Sequence, residues 1–314
     1  MPNKLIVRIA NGFGNQMFNY AASYAFAKRL GYQLLIDDES SSFADKKKSK
    51  KNIYLHWNPK YELKIFKVTS DVADNKYKFN TNLKIFLRKL LIFIDKFKSK
   101  KSFLVEIKNK FKISNSNLNY YNIKYSDVLY FEGYFESENY FKDYRKDILN
   151  EFKLKNIPNT YESYSEMINN SNSISISVRR DRFSERIVDQ SDSDKINKSK
   201  LFENETYNYI FSAVKYFENK FSDVKFFLFS DNFEGLDKIF NKDKFIFIDK
   251  FIENKSLEDF YLMSRCKHFI VGPTSFHWWA AWLSENNNKI CTYPKNINPS
   301  NNVNFWPESW IKVA

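Results

Sequence analysis

The chain is poor in the features that most readily betray a function. Its 314 residues include two cysteines, Cys266 and Cys291, far apart and in no metal-like spacing. That excludes a disulfide framework and fits a reducing compartment. The N-terminus, Met1-Pro-Asn-Lys-Leu-Ile-Val-Arg8, lacks the apolar core of a secretory signal. The longest apolar stretch, Leu83 to Ile94, is too short and too charged to cross a bilayer. No internal repeat is present. These absences lead to the expectation of a cytoplasmic protein, at most peripheral on the inner face of the cytoplasmic membrane.

Acids are scarce as well. Fifty Lys and Arg against 37 Asp and Glu leave a formal charge of +13, which calls for an anionic partner. More than half of it lies in residues 84–112, with ten basic residues against two acids. In Lys84-Ile-Phe-Leu-Arg88-Lys89-Leu-Leu-Ile-Phe-Ile-Asp95-Lys96-Phe97-Lys98, apolar and basic residues alternate at roughly helical spacing. Such a helix either lies on an anionic membrane surface or packs on its own domain with a solvated face. The 18% aromatic content, with 32 Phe and 20 Tyr, is equally what A/T-heavy codons supply.

What is present alternates in a recognisable order. Leu5–Ala10 is a short apolar run, followed by a glycine loop at 11–16. A helical pattern from Met17 to Leu30 comes next, then a second run at Gln33–Asp37. Strand, loop, helix, strand opens a Rossmann-like unit. Gly12-x-Gly14 stops short of the full dinucleotide fingerprint, which argues against nicotinamide or flavin binding. A strand is predicted at 128–134 and a polar linker at about 154–172. The second half reads as strands at 173–178, 225–229, 245–248, 269–271 and 290–293. Helices are predicted at 207–221, 233–240, 256–265 and 276–285. The expectation is an α/β protein of two Rossmann-like domains facing a cleft, residues 1–155 and 165–314. Ligands of open parallel sheets sit beyond the carboxyl ends of the strands, which selects 11–16, 179–185, 230–232 and 272–277.

Each of these carries a chemical suggestion and a plainer alternative. Arg179 and Arg180 would hold a diphosphate by bidentate forks, or pair with nearby acids. Ser230 and Asp231 would hold a ribose or base edge, or cap the next helix. Thr274 and Ser275 stand where a helix starts and would offer hydroxyls and amides to an anion. His277 either faces the cleft or is a satisfied structural histidine. Trp278, Trp279 and Trp282 read as core rather than as sugar platforms. Gly12 and Gly14 would let the backbone approach a ligand, with Asn15 and Gln16 binding neutral hydroxyls.

Asn11-Gly-Phe-Gly-Asn-Gln-Met-Phe-Asn-Tyr-Ala21 resembles the amino-terminal signature of the bacterial α-1,2-fucosyltransferases of glycosyltransferase family 11. Phe131-Glu-Gly-Tyr-Phe-Glu-Ser-Glu-Asn-Tyr-Phe141 is similar to a second segment of that family, and Ser230-Asp231 to its Phe-Ser-Asp motif. The stretch from Asp259 through Trp282 to Pro294 resembles its carboxyl-terminal block. One block departs. Where the family reads His-x-Arg-Arg-Gly-Asp-Tyr, this chain has Ser177-Val-Arg179-Arg180-Asp181-Arg182-Phe183.

The resemblance implies a GT-B architecture, an acceptor-side first domain and a nucleotide-sugar-binding second domain. It implies inverting transfer of L-fucose from GDP-β-L-fucose to a galactoside-containing glycan, without a metal or other cofactor. Arg179 and Arg180 would neutralise the departing diphosphate, helped by Thr274 and Ser275. Gly14, Asn15, Gln16, Ser230, Asp231 and His277 would complete the donor site. Asp181, Glu185 or Asp189 would be the base that an inverting displacement requires. Three alternatives stay open: another GDP-deoxyhexose donor, an inactive sugar-binding relative, and a nucleic-acid-binding protein. The last gives no reason for the motif blocks, so no nucleic-acid partner is expected.

Overall fold

A computed structural model describes residues 2–49, 60–106, 123–157, 162–180, 182, 193–249, 255–300 and 302–314, with the side chains of 45–49 excluded. The chain divides into two compact units. One comprises Met1–Lys155 with Ser300–Phe305, the other Asn156–Pro299 with Trp306–Ala314.

The first unit runs β1 (Lys4–Arg8), α1 (Phe13–Leu30), β2 (Gln33–Asp37), α2 (Ser40–Ser49), β3 (Asp71–Val72), α3 (Asn82–Asp95), β4 (Lys101–Val105), β5 (Tyr125–Glu132) and α4 (Arg145–Glu151). Its five strands pair in parallel in the order β3-β2-β1-β5-β4. Helix α1 ends at Gly31, whose φ of 67° is left-handed and whose amide reaches back to Ala27 and Lys28. Its last-turn Lys28 and Arg29 suit the negative end of the helix dipole. The helix is buried from Gln16 to Ala27, so its motif residues are first of all core. Glu151 of α4 fastens it, accepting from the Tyr20 hydroxyl at 2.6 Å and the Thr69 amide at 2.7 Å. Residues 300–305 return to this unit because Phe305 packs on Phe18 and the Ser300 hydroxyl donates to Glu136.

The second unit runs α5 (Glu162–Asn169), β6 (Ser173–Val178), α6 (Ser193–Lys220), β7 (Lys225–Ser230), β8 (Phe245–Phe247), α7 (Lys255–Arg265), β9 (His268–Ile270), α8 (Ser275–Leu283), β10 (Cys291–Pro294) and β11 (Ile311–Val313). Six strands, all paired in parallel, follow the order β11-β10-β9-β6-β7-β8. Strand β6 lies at the centre and is buried at every position, as a sheet covered on both faces requires. Phe217, Phe226, Phe240 and Ile270 fill the core around it. Burial of each such side chain is worth roughly 1.5–3 kcal/mol.

Three expectations need correction. Residues 154–172 are not a plain linker, since α5 lies within them and packs against α7. Helix α6 starts at Ser193 rather than near 207, because its first turns, Ser-Asp-Lys-Ile-Asn-Lys-Ser, carry no apolar stripe to announce it. The predicted helix at 233–240 is only a 3-10 turn at Leu236–Lys238, entered through Gly235 with φ 71°.

Candidate functional site

In the second unit, β6 is where chain direction across the sheet reverses: β7 lies on one side of it and β9 on the other. The loops after β6, β7 and β9 therefore meet at one edge, at the kind of switch point where open α/β sheets bind ligands. Val178 registers with Ser230 and Ile176 with Ile270, so Arg179 and Arg180 emerge between 230–232 and 272–275. The backbones close in tightly there. A methyl group added at Gly272 would land on the carbonyl oxygen of Ser177.

Side chains hold this edge in place. Arg179 pairs with Asp231 at 2.9 Å, and the other carboxylate oxygen of Asp231 accepts from the Arg180 amide at 3.0 Å. Arg180 lies against Glu203 at 3.3 Å and donates to the Glu234 carbonyl. Arg179 remains 38% exposed. The two arginines thus do pair with acids, Asp231 and Glu203 on other elements. Arg182 bridges the carbonyls of Pro273 and Pro299 at 3.1 and 3.3 Å and stacks over Phe202. The basic residue at the family's acidic position is a tie that supports the loop after β9.

His277 is fully buried. Its Nδ1 accepts from the Gly272 amide at 2.9 Å, so the neutral ring carries its proton on Nε2 and donates it to the Ser175 hydroxyl 2.8 Å away. Burial holds its pKa down to about 3. Protonating Nδ1 would also set two hydrogens against each other. His268 repeats the arrangement: Nδ1 accepts from the Ile290 amide and Nε2 donates to Asn172. Burial, followed by Lys267 and Lys220, lowers its pKa as well. Neither is poised as a general base.

Helix α8 starts over this edge. Thr274 caps it, its hydroxyl accepting from the His277 amide at 3.2 Å, and first-turn amides such as those of Ser275 and Phe276 lack intrahelical partners in any helix. Trp278, Trp279 and Trp282 are buried core. Among the described residues, no group of three His, Cys, Asp or Glu is placed to hold a metal ion.

The first unit has its own switch point, between β1 and β5. Two non-glycine residues there sit at positive φ, Asn11 at 66° after β1 and Phe135 at 51° after β5. Such strain costs about 1–3 kcal/mol each and concentrates at functional turns. Side-chain contacts to the backbone sustain it. Asn19, buried in α1, accepts from the Ala10 amide at 2.9 Å and donates to the Gly133 carbonyl at 2.8 Å. Glu106 accepts from the amides of Tyr134 and Phe135 at 2.6 and 2.7 Å.

The structure thus brings together Arg179, Arg180, Ser230, Asp231, Thr274, Ser275 and His277 in one unit, and Gly14, Asn15 and Gln16 in the other. Several roles change. Gln16 donates to the carbonyls of Asn11 and Lys60 and accepts from the Glu62 amide, so it pins a loop instead of meeting a ligand. Gly14 is buried inside α1, leaving Asn15 as the half-exposed residue of that turn. Ser230 closes its own turn with Asn232. Asp231 and His277 position the arginine turn and the α8 start. Asp181, Glu185 and Asp189 lie outside the described residues. Nothing local in the sequence marks Asn19 and Glu203, because their partners, Gly133 and Arg180, are distant along the chain. Glu258 and Asp259, buried near the start of α7, carry no chemical signal in the sequence either. Burial pushes Asp259 up to about 6 despite Lys255 beside it.

The glycosyl transferase family 11 model matches residues 64–312. An alpha-1,2-colitosyltransferase of Escherichia coli is 26% identical over 326 residues, 98% of each chain. The O-antigen biosynthesis glycosyltransferase WbnK of Escherichia coli is 25% identical over 97% of this chain and 99% of its own. Fucosyltransferase NodZ from Bradyrhizobium shares the fold at a TM-score of 0.52 and 17% identity, covering 89% of this chain and 92% of its own. NodZ has also been solved after soaking with GDP-fucose, with a TM-score of 0.50 at 16% identity over 90% and 93% of the two chains.

Proposed function

The chain belongs to glycosyl transferase family 11, and from that premise we propose that it transfers L-fucose from GDP-fucose to the 2-hydroxyl of a galactoside in surface-glycan synthesis. The observation that carries the reading is the Arg179–Arg180 turn, set beside the first turn of α8 at the β6/β9 switch point. Departure of GDP places negative charge on the β-phosphate. A fixed guanidinium and helix-start amides stabilise that charge more in the transition state than in the ground state. Asp231 holds Arg179 in position before a diphosphate arrives, and the half-exposed guanidinium then exchanges a carboxylate for phosphate. With cations supplied by the chain, transfer proceeds without a divalent ion. Inversion needs a base at the attacking hydroxyl, and neither described histidine fits that role, since both are neutral and fully engaged. Asn15 and the strained turns after β1 and β5 are the candidate hydroxyl-binding surface of the first unit.

One observation favours a second reading. The relative over 98% of this chain is named for colitose, and the 177–182 segment departs from the family pattern. The donor would then be a different GDP-linked deoxyhexose. The test incubates the purified chain with EDTA, a panel of β-galactosides and either GDP-fucose or GDP-colitose, following GDP release and product linkage. Fucosylated product that disappears in Arg179→Ala supports the first reading, and transfer from GDP-colitose alone supports the second. Turnover of neither donor would leave a sugar-binding relative and overturn both.

A further inference from the structure

Helix α3 turns a large apolar face outward. Leu83, Phe86, Leu90, Phe93, Ile94 and Phe97 recur at spacings of three and four and so share one face. That face is exposed: Leu83 by 76%, Phe86 by 67% and Phe97 by 79%. The face turned to the protein mixes Arg88 and Asp95 with the less exposed Ile85, Leu91 and Ile92. Arg88 pairs with Glu132 of β5, and Asp95 accepts from the amides of Ser102 and Phe103 in β4. Thr81 caps the start by accepting from the Lys84 amide. The helix is therefore held by these polar contacts together with the inward Ile85, Leu91 and Ile92, and the outward apolar stripe is left for another surface. A contiguous exposed apolar stripe of this kind marks an interaction surface.

The charge around it selects the partner. Residues 84–101 contain seven Lys and Arg against one acid. Lys89, Lys96, Lys98 and Lys100 are exposed along or just past the helix, and Lys96 lies over the Phe93 ring. A second copy would bring two such positive sets together, which disfavours self-association. A surface that is negative outside and apolar beneath accepts both features at once. We propose that α3 docks this chain on an anionic lipid surface, with the Phe and Leu stripe at the level of the acyl-chain boundary and the lysines at the lipid phosphates. Among the described residues no helix is long and apolar enough to cross a membrane, so α3 would lie in the plane of the interface. This inference does not depend on the identity of the sugar donor.

The full chain is mixed with phosphatidylcholine vesicles and with phosphatidylglycerol-rich vesicles, and binding is read by co-sedimentation. Binding to the anionic vesicles alone, weakened by salt, is expected. Phe86→Ser with Phe93→Ser should lower the affinity roughly tenfold or more, since each ring loses much of its burial. Lys89→Glu with Lys96→Glu and Lys98→Glu should abolish the preference for anionic lipid. Melting curves matching the parent show that the variants fold. As an independent readout, Phe86→Cys labelled with an environment-sensitive dye should shift to the blue on anionic vesicles; both native cysteines are buried and escape the label. No binding, binding that both variants retain, or a dimer that Phe86→Ser with Phe93→Ser abolishes would overturn the proposal.

Discussion

The two units use the same device at their switch points but build it from different chemistry. In the first, β1 and β5 end in turns at positive φ, supported by Asn19, Gln16 and Glu106, and backbone amides do most of the bonding. In the second, β6 and β9 end in turns supported by arginines, a buried neutral histidine and two carboxylates. A surface of amides, carboxamides and one carboxylate suits hydroxyls, whereas guanidinium groups beside a helix start suit a diphosphate. The difference is also mechanical: one turn stores strain, while the other relies on a close backbone contact that only glycine permits.

The largest expected effect lies in the charged turn. Arg179→Ala should cut kcat/KM by on the order of 100- to 1000-fold, the usual cost of removing one preorganised donor to developing charge. Asn15→Ala in the first unit should cost less and act mainly on the acceptor KM. Steady-state kinetics with each substrate varied in turn separates the two. Equal effects of both substitutions on the donor KM would break the division proposed here.

Substituting the glycine at each switch point comes next. Gly272→Ala sets a methyl group against the Ser177 carbonyl, which belongs to the central strand and cannot yield. A loss of about 3 kcal/mol is expected, at the upper end of overpacking costs. Gly133→Ala meets the Glu106 Cβ, which its backbone fixes, and the Phe135 ring, so a loss of about 2–3 kcal/mol is expected as well. Asn19→Ala should cost a similar 1–3 kcal/mol, because it leaves the partly buried Ala10 amide and Gly133 carbonyl without the Asn19 partner. Chemical denaturation measures all three.

The sequence made the second unit's site more legible than the first's. Strand-end position and residue type were enough to select Arg179, Asp231 and Thr274, because charge and helix capping are local signals. What those residues do was not local. Asp231 engages Arg179 and the Arg180 amide, and His277 reaches back to Ser175, one hundred and two positions away. The opposite happened at α1, where Gln16 carries family-like sequence yet serves its own loop. The same motif residue can be a ligand or a strut, and only the partner's position distinguishes them. Helix α3 is a third case. Its periodicity was plain, but whether the apolar stripe faced in or out depends on Glu132 and on the Ser102 and Phe103 amides, which no helical pattern contains.

The smallest effects concern pH and are confined to the second unit. His277 has a folded pKa near 3, below its unfolded value near 6.5. Over that interval the unfolded chain binds a proton that the folded chain refuses, so stability falls as pH falls, by about 1.4 kcal/mol per pH unit. Asp259 behaves in the opposite sense. Its folded pKa of about 6 lies above the ordinary value of 3.8, so the folded chain holds the extra proton and stability falls as pH rises through that window. Between about pH 4 and 6 the two slopes oppose and nearly cancel. Asp259→Asn should therefore unmask a loss of stability on acidification, and His277→Gln a loss on raising pH, each up to roughly 2 kcal/mol across the window. Urea denaturation at several pH values, with each variant referred to the parent chain, measures both. Parallel pH profiles for the two variants would mean that one of these buried groups is solvated in the folded protein. The neutral histidine that holds the turn after β9 would then lose its physical basis.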